Sequence, residues 1–405
     1  MQKDILEKKL IQIHRIIESK YQQEKHLGVL AGLSGISLFQ FYYSKYLDIE
    51  TNADIGVDII SNCIEKINDG YNYPTFCTGI AGLGWVCDHL EQEKFIEIDA
   101  DELLPEVDDY LYQSMINDFK KGNYDFLHGA IGYAFYFLQR YKNTNSKELK
   151  EKYQVILFEV IDQLKNLSTN EDENKTKWIS TISSETEEKV YNLSLSHGMS
   201  SIIGILTKLY EHEPFKDKTE HLLKSAIHYI LSFRSSNKND LSVFPSTIPT
   251  TNNDLSYNSR VAWCYGDLGV AIRLWFAAKA LNDEALKTTA ISILKHTALR
   301  TNAEDSMVID AAICHGSYGN AQIFNRMYKE TGVKEFKDAT DFWIQDGLDK
   351  AVHEDGYAGY KQCIGKDREW QNETNLLEGI TGIGLVIIDQ LSSFETNWDE
   401  CLMIS

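Results

Sequence analysis

Residues 128–138 read His128-Gly129-Ala-Ile-Gly132-Tyr-Ala-Phe-Tyr-Phe-Leu138, a Gly-x-x-Gly signature that runs straight into an apolar stretch. The signature returns at Gly32-Leu-Ser-Gly35, Gly79-Ile-Ala-Gly82, Gly266-Asp-Leu-Gly269, Gly316-Ser-Tyr-Gly319 and Gly379-Ile-Thr-Gly382. A degenerate seventh copy is Gly198-Met-Ser-Ser201, where Ser stands for the second Gly. Successive first glycines lie 47, 50, 69, 68, 50 and 63 residues apart. One such signature is weak, but seven mark a repeat architecture.

The stretch after each copy is apolar nearly all round, as in Tyr133–Leu138 and Ile202–Leu206, which predicts helices packed on every face. Between the copies lie amphipathic stretches. Leu6, Leu10, Ile13 and Ile17 share one helical stripe, as do Val57, Ile60, Ile64 and Ile67. Each repeat therefore reads as a helical hairpin of one fully buried and one half-buried helix.

The expected fold is all-α: a double α/α toroid of seven helical hairpins, with the Gly-x-x-Gly-led helices as inner barrel and the amphipathic helices as outer ring. One domain would span residues 1–405. An open superhelix is the alternative. Polar inserts at about 166–192, 234–260 and 353–375 interrupt the longer intervals and are expected on one rim. The first suggests a small hairpin of Trp178–Ile182 with Lys189–Leu195.

The charge balance is 40 basic against 60 acidic side chains, a net −20, so phosphate is repelled and nucleic-acid binding is excluded; a cationic partner is compatible. The N-terminal MQKDILEKKL has no apolar secretory core, and the uncharged run Leu27–Tyr43 reads as a buried helix rather than a membrane span. Seven Cys without a CxxC pair argue against a disulfide framework. A cytoplasmic protein with reduced thiols is expected.

Parallel inner helices would gather the residues before each Gly-x-x-Gly at one rim: Ala31, Thr78, His128, His197, Cys264-Tyr265, Cys314-His315 and Glu378. Cys264, Cys314 and His315, from neighbouring helix starts, form a three-donor soft set suited to one zinc ion with an open fourth position. Cys314 and His315 can grip the same ion only if the chain there is not yet helical. Such a zinc, already electron-rich from two thiolates, suits activation of a third thiol. Cys63, Cys87 and Cys401 read as buried structural residues, Cys77 lies two residues before Gly79, and Cys363 is a weaker alternative ligand.

His197 is the candidate acid–base group. Asp125 would orient it or a substrate group, Arg260 would stabilise a developing oxyanion, and Tyr265 would donate a hydrogen bond. His128 and Trp263 read as packing residues.

Arg260-Val-Ala-Trp-Cys-Tyr-Gly-Asp267, Cys314-His-Gly316, Ser196-His-Gly198 and the repeated Gly-x-x-Gly resemble the lanthionine synthetase C-like family, and within it the class I lanthipeptide cyclases. The resemblance covers essentially the whole chain. It implies a double seven-helix toroid and one zinc on Cys264, Cys314 and His315. The family's catalytic His, Asp, Arg and Tyr fall on His197, Asp125, Arg260 and Tyr265. The implied reaction adds peptide Cys thiols to dehydroalanine or dehydrobutyrine, forming thioether rings. The implied substrate is a dehydrated, leader-bearing precursor peptide. A dehydratase and an exporter of the same pathway are implied partners, with peripheral membrane association through them. The departure at Ser201 concerns packing.

Three other readings stay open at this point. A related zinc protein would add glutathione or another thiol to dehydrated peptides. A helical-barrel glycosidase would pair Asp125 with Asp267 or Glu378. A silent scaffold would bind peptide or a dehydratase without catalysis.

Overall fold

The computed structural model describes residues 2–181, 188–251, 254–365 and 367–405. The chain alternates outer and inner helices. It runs α1 (Gln2–Lys20), α2 (Leu33–Leu47), α3 (Thr51–Asn68), α4 (Ile80–Gln92), α5 (Pro105–Lys120), α6 (Ala130–Asn143) and α7 (Lys147–Leu167). It continues through α8 (Met199–Tyr210), α9 (Lys216–Leu231), α10 (Asp267–Leu281), α11 (Glu284–Ala298), α12 (Ser317–Thr331), α13 (Lys334–Asp349) and α14 (Ile380–Leu391). Even-numbered helices are the inner ones, and each starts within the Gly-x-x-Gly signature or its degenerate copy. α2 packs on α4, α4 on α6, and so on around to α14, which packs back on α2. The ring is closed, which rules out the open superhelix.

Outer helices bury one stripe. Leu6, Leu10, Ile13 and Ile17 of α1 are buried as expected, and each such side chain contributes about 1.5–3 kcal/mol of apolar burial. In α3 the expected stripe is rotated: Val57 is 41% exposed, while Gly56, Ile59, Ile60 and Cys63 are buried. A Cβ at Gly56 would stand 2.8 Å from the Phe41 ring, so α3 docks through that glycine and turns Val57 outward. The uncharged run Leu27–Tyr43 forms a rim loop and then buried α2, and among the described residues no helix is long and apolar enough to cross a membrane.

The signature has a steric cause. The loop before each inner helix folds back so that the second glycine rests on the carbonyl oxygen six residues earlier. An added Cβ would meet Phe76 O at 2.1 Å from Gly82, Leu376 O at 2.0 Å from Gly382 and Ile313 O at 1.8 Å from Gly319. Gly319→Ala should therefore cost on the order of 3 kcal/mol, read as a lowered urea midpoint. Gly204→Ala inside α8 meets side chains alone, the Met403 sulfur at 3.1 Å and Arg273 Cδ at 3.5 Å, and should cost less than about 1 kcal/mol. Equal losses from both would contradict this account.

Main-chain hydrogen bonds stitch the loops together around the rim. Ala31 donates to Cys77 O (2.9 Å), Cys77 to Leu127 O (3.0 Å), Leu195 to Cys264 O (3.0 Å) and Cys264 to Cys314 O (3.1 Å). Cys314 donates to Leu377 O (3.0 Å) and Leu377 to Leu30 O (2.8 Å). The joint between the third and fourth copies is bridged instead by side chains, Asp125 and His197. The chain's last residues fill the barrel interior: Trp398 and Cys401–Ile404 are buried, and Trp263 Nε1 donates to Leu402 O at 2.9 Å.

The inserts carry the β-structure. β1 (Thr169–Asp172) pairs with β2 (Lys175–Lys177), a hairpin the sequence reading lacked. β3 (Ser180–Thr181) pairs antiparallel with β4 (Lys189–Asn192), as expected, although Ile182 lies outside the described residues. β4 stops before Leu195 because Leu195 turns onto the rim. β5 (Thr247–Pro249), from the second insert, completes the sheet beside β4. β6 (Gln362–Ile364) and β7 (Glu369–Gln371) form a hairpin in the third insert.

Candidate metal centre

Cys264 and the Cys314-His315 pair lie on adjacent rim loops. The loop of Cys264 is pinned by Val261 N–H on Ser306 O (2.9 Å) and by Asn320 Nδ2 on Val261 O (3.0 Å). It enters α10 through Gly266 at φ +102°, a left-handed geometry that glycine tolerates. Residues 313–315 form a turn, not a helix, so Cys314 and His315 face the same point. The bond from Cys264 N–H to Cys314 O sets the register between the loops. The donor atoms of Cys264, Cys314 and His315 lie within 4.8 Å of one another.

Asp310 stands behind His315, with Oδ2 at 3.3 Å from Nε2, which leaves Nδ1 to face the sulfurs. Burial works against ionisation of Asp310, but His315 and the N–H groups of Cys363 and Ala312 win and hold it below the usual carboxylate range. Burial would lower His315, yet Asp310 and Cys264 together push it up to about 11. A hydrogen bond from Cys314 holds Cys264 well below the ordinary thiol range despite burial. The same bond, with burial, pushes Cys314 well above it. Two thiols and an imidazole whose second nitrogen meets a carboxylate fit a zinc ion.

Two residues missed by sequence reasoning complete the surroundings. Asp310 left only the weak signal of a carboxylate five residues before a His. Gln362, in the third insert, left none. Glu378 was named by its repeat position, but only as one of a carboxylate pair. Here burial pushes its carboxyl up to about 7 against the opposing pull of His315 and Cys314. Cys363 is outside the donor cluster; its N–H meets Asp310 Oδ2 at 3.0 Å. Cys63, Cys77, Cys87 and Cys401 are buried.

His197 Nδ1 lies 2.5 Å from Asp125 Oδ2, leaving Nε2 free to work. Asp125 Oδ1 accepts the N–H of His128 at 2.8 Å. His128 itself is exposed at the rim, contrary to the expected packing role, because its neighbours Phe126 and Leu127 take the buried positions of the loop. The Tyr265 ring is 6.0 Å from that of His197, and its hydroxyl accepts from Asn192 Nδ2 at 3.1 Å. Arg260 is exposed, and with Tyr265, Ser246, Met307 and Arg368 it lines a cleft of about 880 Å³. Asp267 is not in that group. It is fully buried, accepting the N–H groups of Val243 and Phe244 at 2.9 Å each, so it is no partner for Asp125 in a carboxylate pair.

A family model described as lanthionine synthetase C-like protein matches residues 24–403. Nisin biosynthesis protein NisC of Lactococcus lactis subsp. lactis is 23% identical over 408 residues, covering 93% of this chain and 89% of that protein. A solved structure of nisin cyclase superposes with a TM-score of 0.74 at 20% identity, covering 98% of this chain and 97% of that one, and has the same fold.

Proposed function

The chain belongs to the lanthionine synthetase C-like family, and on that premise we propose that it is a zinc-dependent lanthipeptide cyclase. It adds Cys thiols of a dehydrated precursor peptide to dehydroalanine or dehydrobutyrine residues of the same peptide, closing (methyl)lanthionine rings. The observation that carries this reading is the meeting of Cys264, Cys314 and His315 at a rim that also holds the His197–Asp125 pair.

Cys264, Cys314 and His315 would hold the zinc, which when bound acidifies an incoming thiol. The thiol proton leaves to solvent, the carbon–sulfur bond forms at the β-carbon, the alkene electron pair moves into an amide enolate, and the α-carbon takes a proton. His197 Nε2 donates that proton. Asp125 occupies Nδ1, which fixes the ring orientation and favours the protonated form. The guanidinium of Arg260 offsets enolate charge, and Tyr265 braces the ring of His197 from the side. Holding both reacting groups of one peptide in the cleft supplies the proximity term.

The substrate's dehydro-residues require a preceding dehydration, so a dehydratase is the partner that must act first. The leader segment and an exporter of the same pathway, with peripheral membrane contact through it, belong to the same reading.

The test is incubation with a dehydrated peptide. Ring closure leaves the mass unchanged and removes one alkylatable thiol per ring. Added glutathione appearing in the product mass would favour the intermolecular alternative. Unchanged thiol count and mass would leave only a binding scaffold.

The pH profile is a second check. Burial lowers His197, but the hydrogen bond and charge of Asp125 outweigh it and raise the group above its ordinary value, with Cys264 adding to the rise. His128 and Tyr265 are the other titratable groups close by. A proton donor fails as pH rises through its pKa, so Asp125→Asn should move the alkaline limb of turnover to lower pH. An unmoved limb would remove His197 from the donor role.

A further inference from the structure

The third insert touches the donor cluster at two points. The N–H of Cys363 in β6 donates to Asp310 Oδ2 at 3.0 Å, the same oxygen that faces His315 Nε2 at 3.3 Å. One residue earlier, Gln362 is 9% exposed, and its Nε2 donates to Glu378 Oε2. The Glu378 carboxyl in turn is a close polar neighbour of Cys314, each influencing the ionisation of the other. The hairpin is anchored for this task. β6 pairs with β7 through Gln362–Gln371, Cys363–Trp370 and Ile364–Glu369. At its root, the buried Tyr360 hydroxyl meets that of Tyr318 in α12 at 2.9 Å.

We propose that Gln362 is a positioning residue of the metal centre, setting Cys314 through Glu378 while the adjacent main chain of the same strand sets His315 through Asp310. The inference rests on the reading of Cys264, Cys314 and His315 as zinc ligands. Without the hairpin, the Glu378 carboxyl is free to turn away and Asp310 loses one of its N–H donors. Cys314 would then lose its carboxylate neighbour, and His315 would face an Asp310 held only by the N–H of Ala312. The same hairpin carries Arg368 at the mouth of the cleft, so it joins the peptide-facing surface to the backs of the ligands.

The experiment measures zinc affinity by chelator competition on the full chain. Wild type and Gln371→Ala, an exposed residue across the hairpin, should bind one zinc equally well. Gln362→Ala should bind with about tenfold weaker affinity, the scale of an outer hydrogen-bond partner. Glu378→Ala should weaken binding too, and the double variant Gln362→Ala/Glu378→Ala should be no weaker than Glu378→Ala alone. Hydrogen exchange over residues 360–364 should rise when zinc is stripped from wild type. A merely structural Gln362 would lower the urea midpoint of the zinc-free protein and leave zinc affinity unchanged. That result, or fully additive losses in the double variant, would overturn the proposal. A wild type that takes up no zinc would overturn the ligand reading beneath it, a distinct outcome.

Discussion

Cys314→Ala is expected to yield a folded protein that no longer retains zinc and no longer closes rings. Two remaining donors, Cys264 and His315, fall short of the three protein ligands that an open catalytic zinc needs. The fold should survive because the rim bonds at this position are main-chain: Cys314 N–H to Leu377 O and Cys264 N–H to Cys314 O. Ring closure should fall by on the order of 1,000-fold or more, since the thiol loses its activating ion. Elemental mass spectrometry and circular dichroism read the two halves of the prediction. Cys363→Ala is the control and should keep about one zinc, because Cys363 lies outside the donor cluster and meets Asp310 only through its main chain. Zinc retained by Cys314→Ala, or lost only with Cys363, would break the ligand assignment.

His197→Asn separates proton transfer from metal binding. The side chain is held by Asp125 and stands apart from the three donors, so zinc content should match wild type. Turnover should drop by about 100- to 10,000-fold, the range for losing a general acid. The peptide KM should change little, because the expected loss is confined to the protonation step. Thiol consumption at the wild-type rate would show that another group delivers the proton.

The legible part of the fold was the part written in periodic form. Each second glycine is demanded by a carbonyl oxygen six residues earlier, so the constraint recurs wherever the loop recurs and survives as a pattern. Where Ser201 replaces that glycine, the third-to-fourth joint is bridged by Asp125 and His197 rather than by main-chain bonds. The α3 stripe was misread at Val57 because its docking face is chosen by Gly56 against Phe41, a contact between two helices. The β1–β2 and β6–β7 hairpins were missed because short, polar strands carry no apolar alternation to read.

By itself, the sequence determined the repeat, the number of inner helices and the candidate donors, since each follows from local chain geometry or residue chemistry. Only the tertiary structure decided that the ring closes, that Asp267 is consumed by main-chain N–H groups, and that Asp310, Gln362 and Glu378 stand behind the donors. The physical reason is range. A helix start and a close-packed glycine are governed by residues a few positions away. The meeting of Gln362 with Glu378, or of Cys363 with Asp310, depends on where a whole insert lands once the barrel has formed.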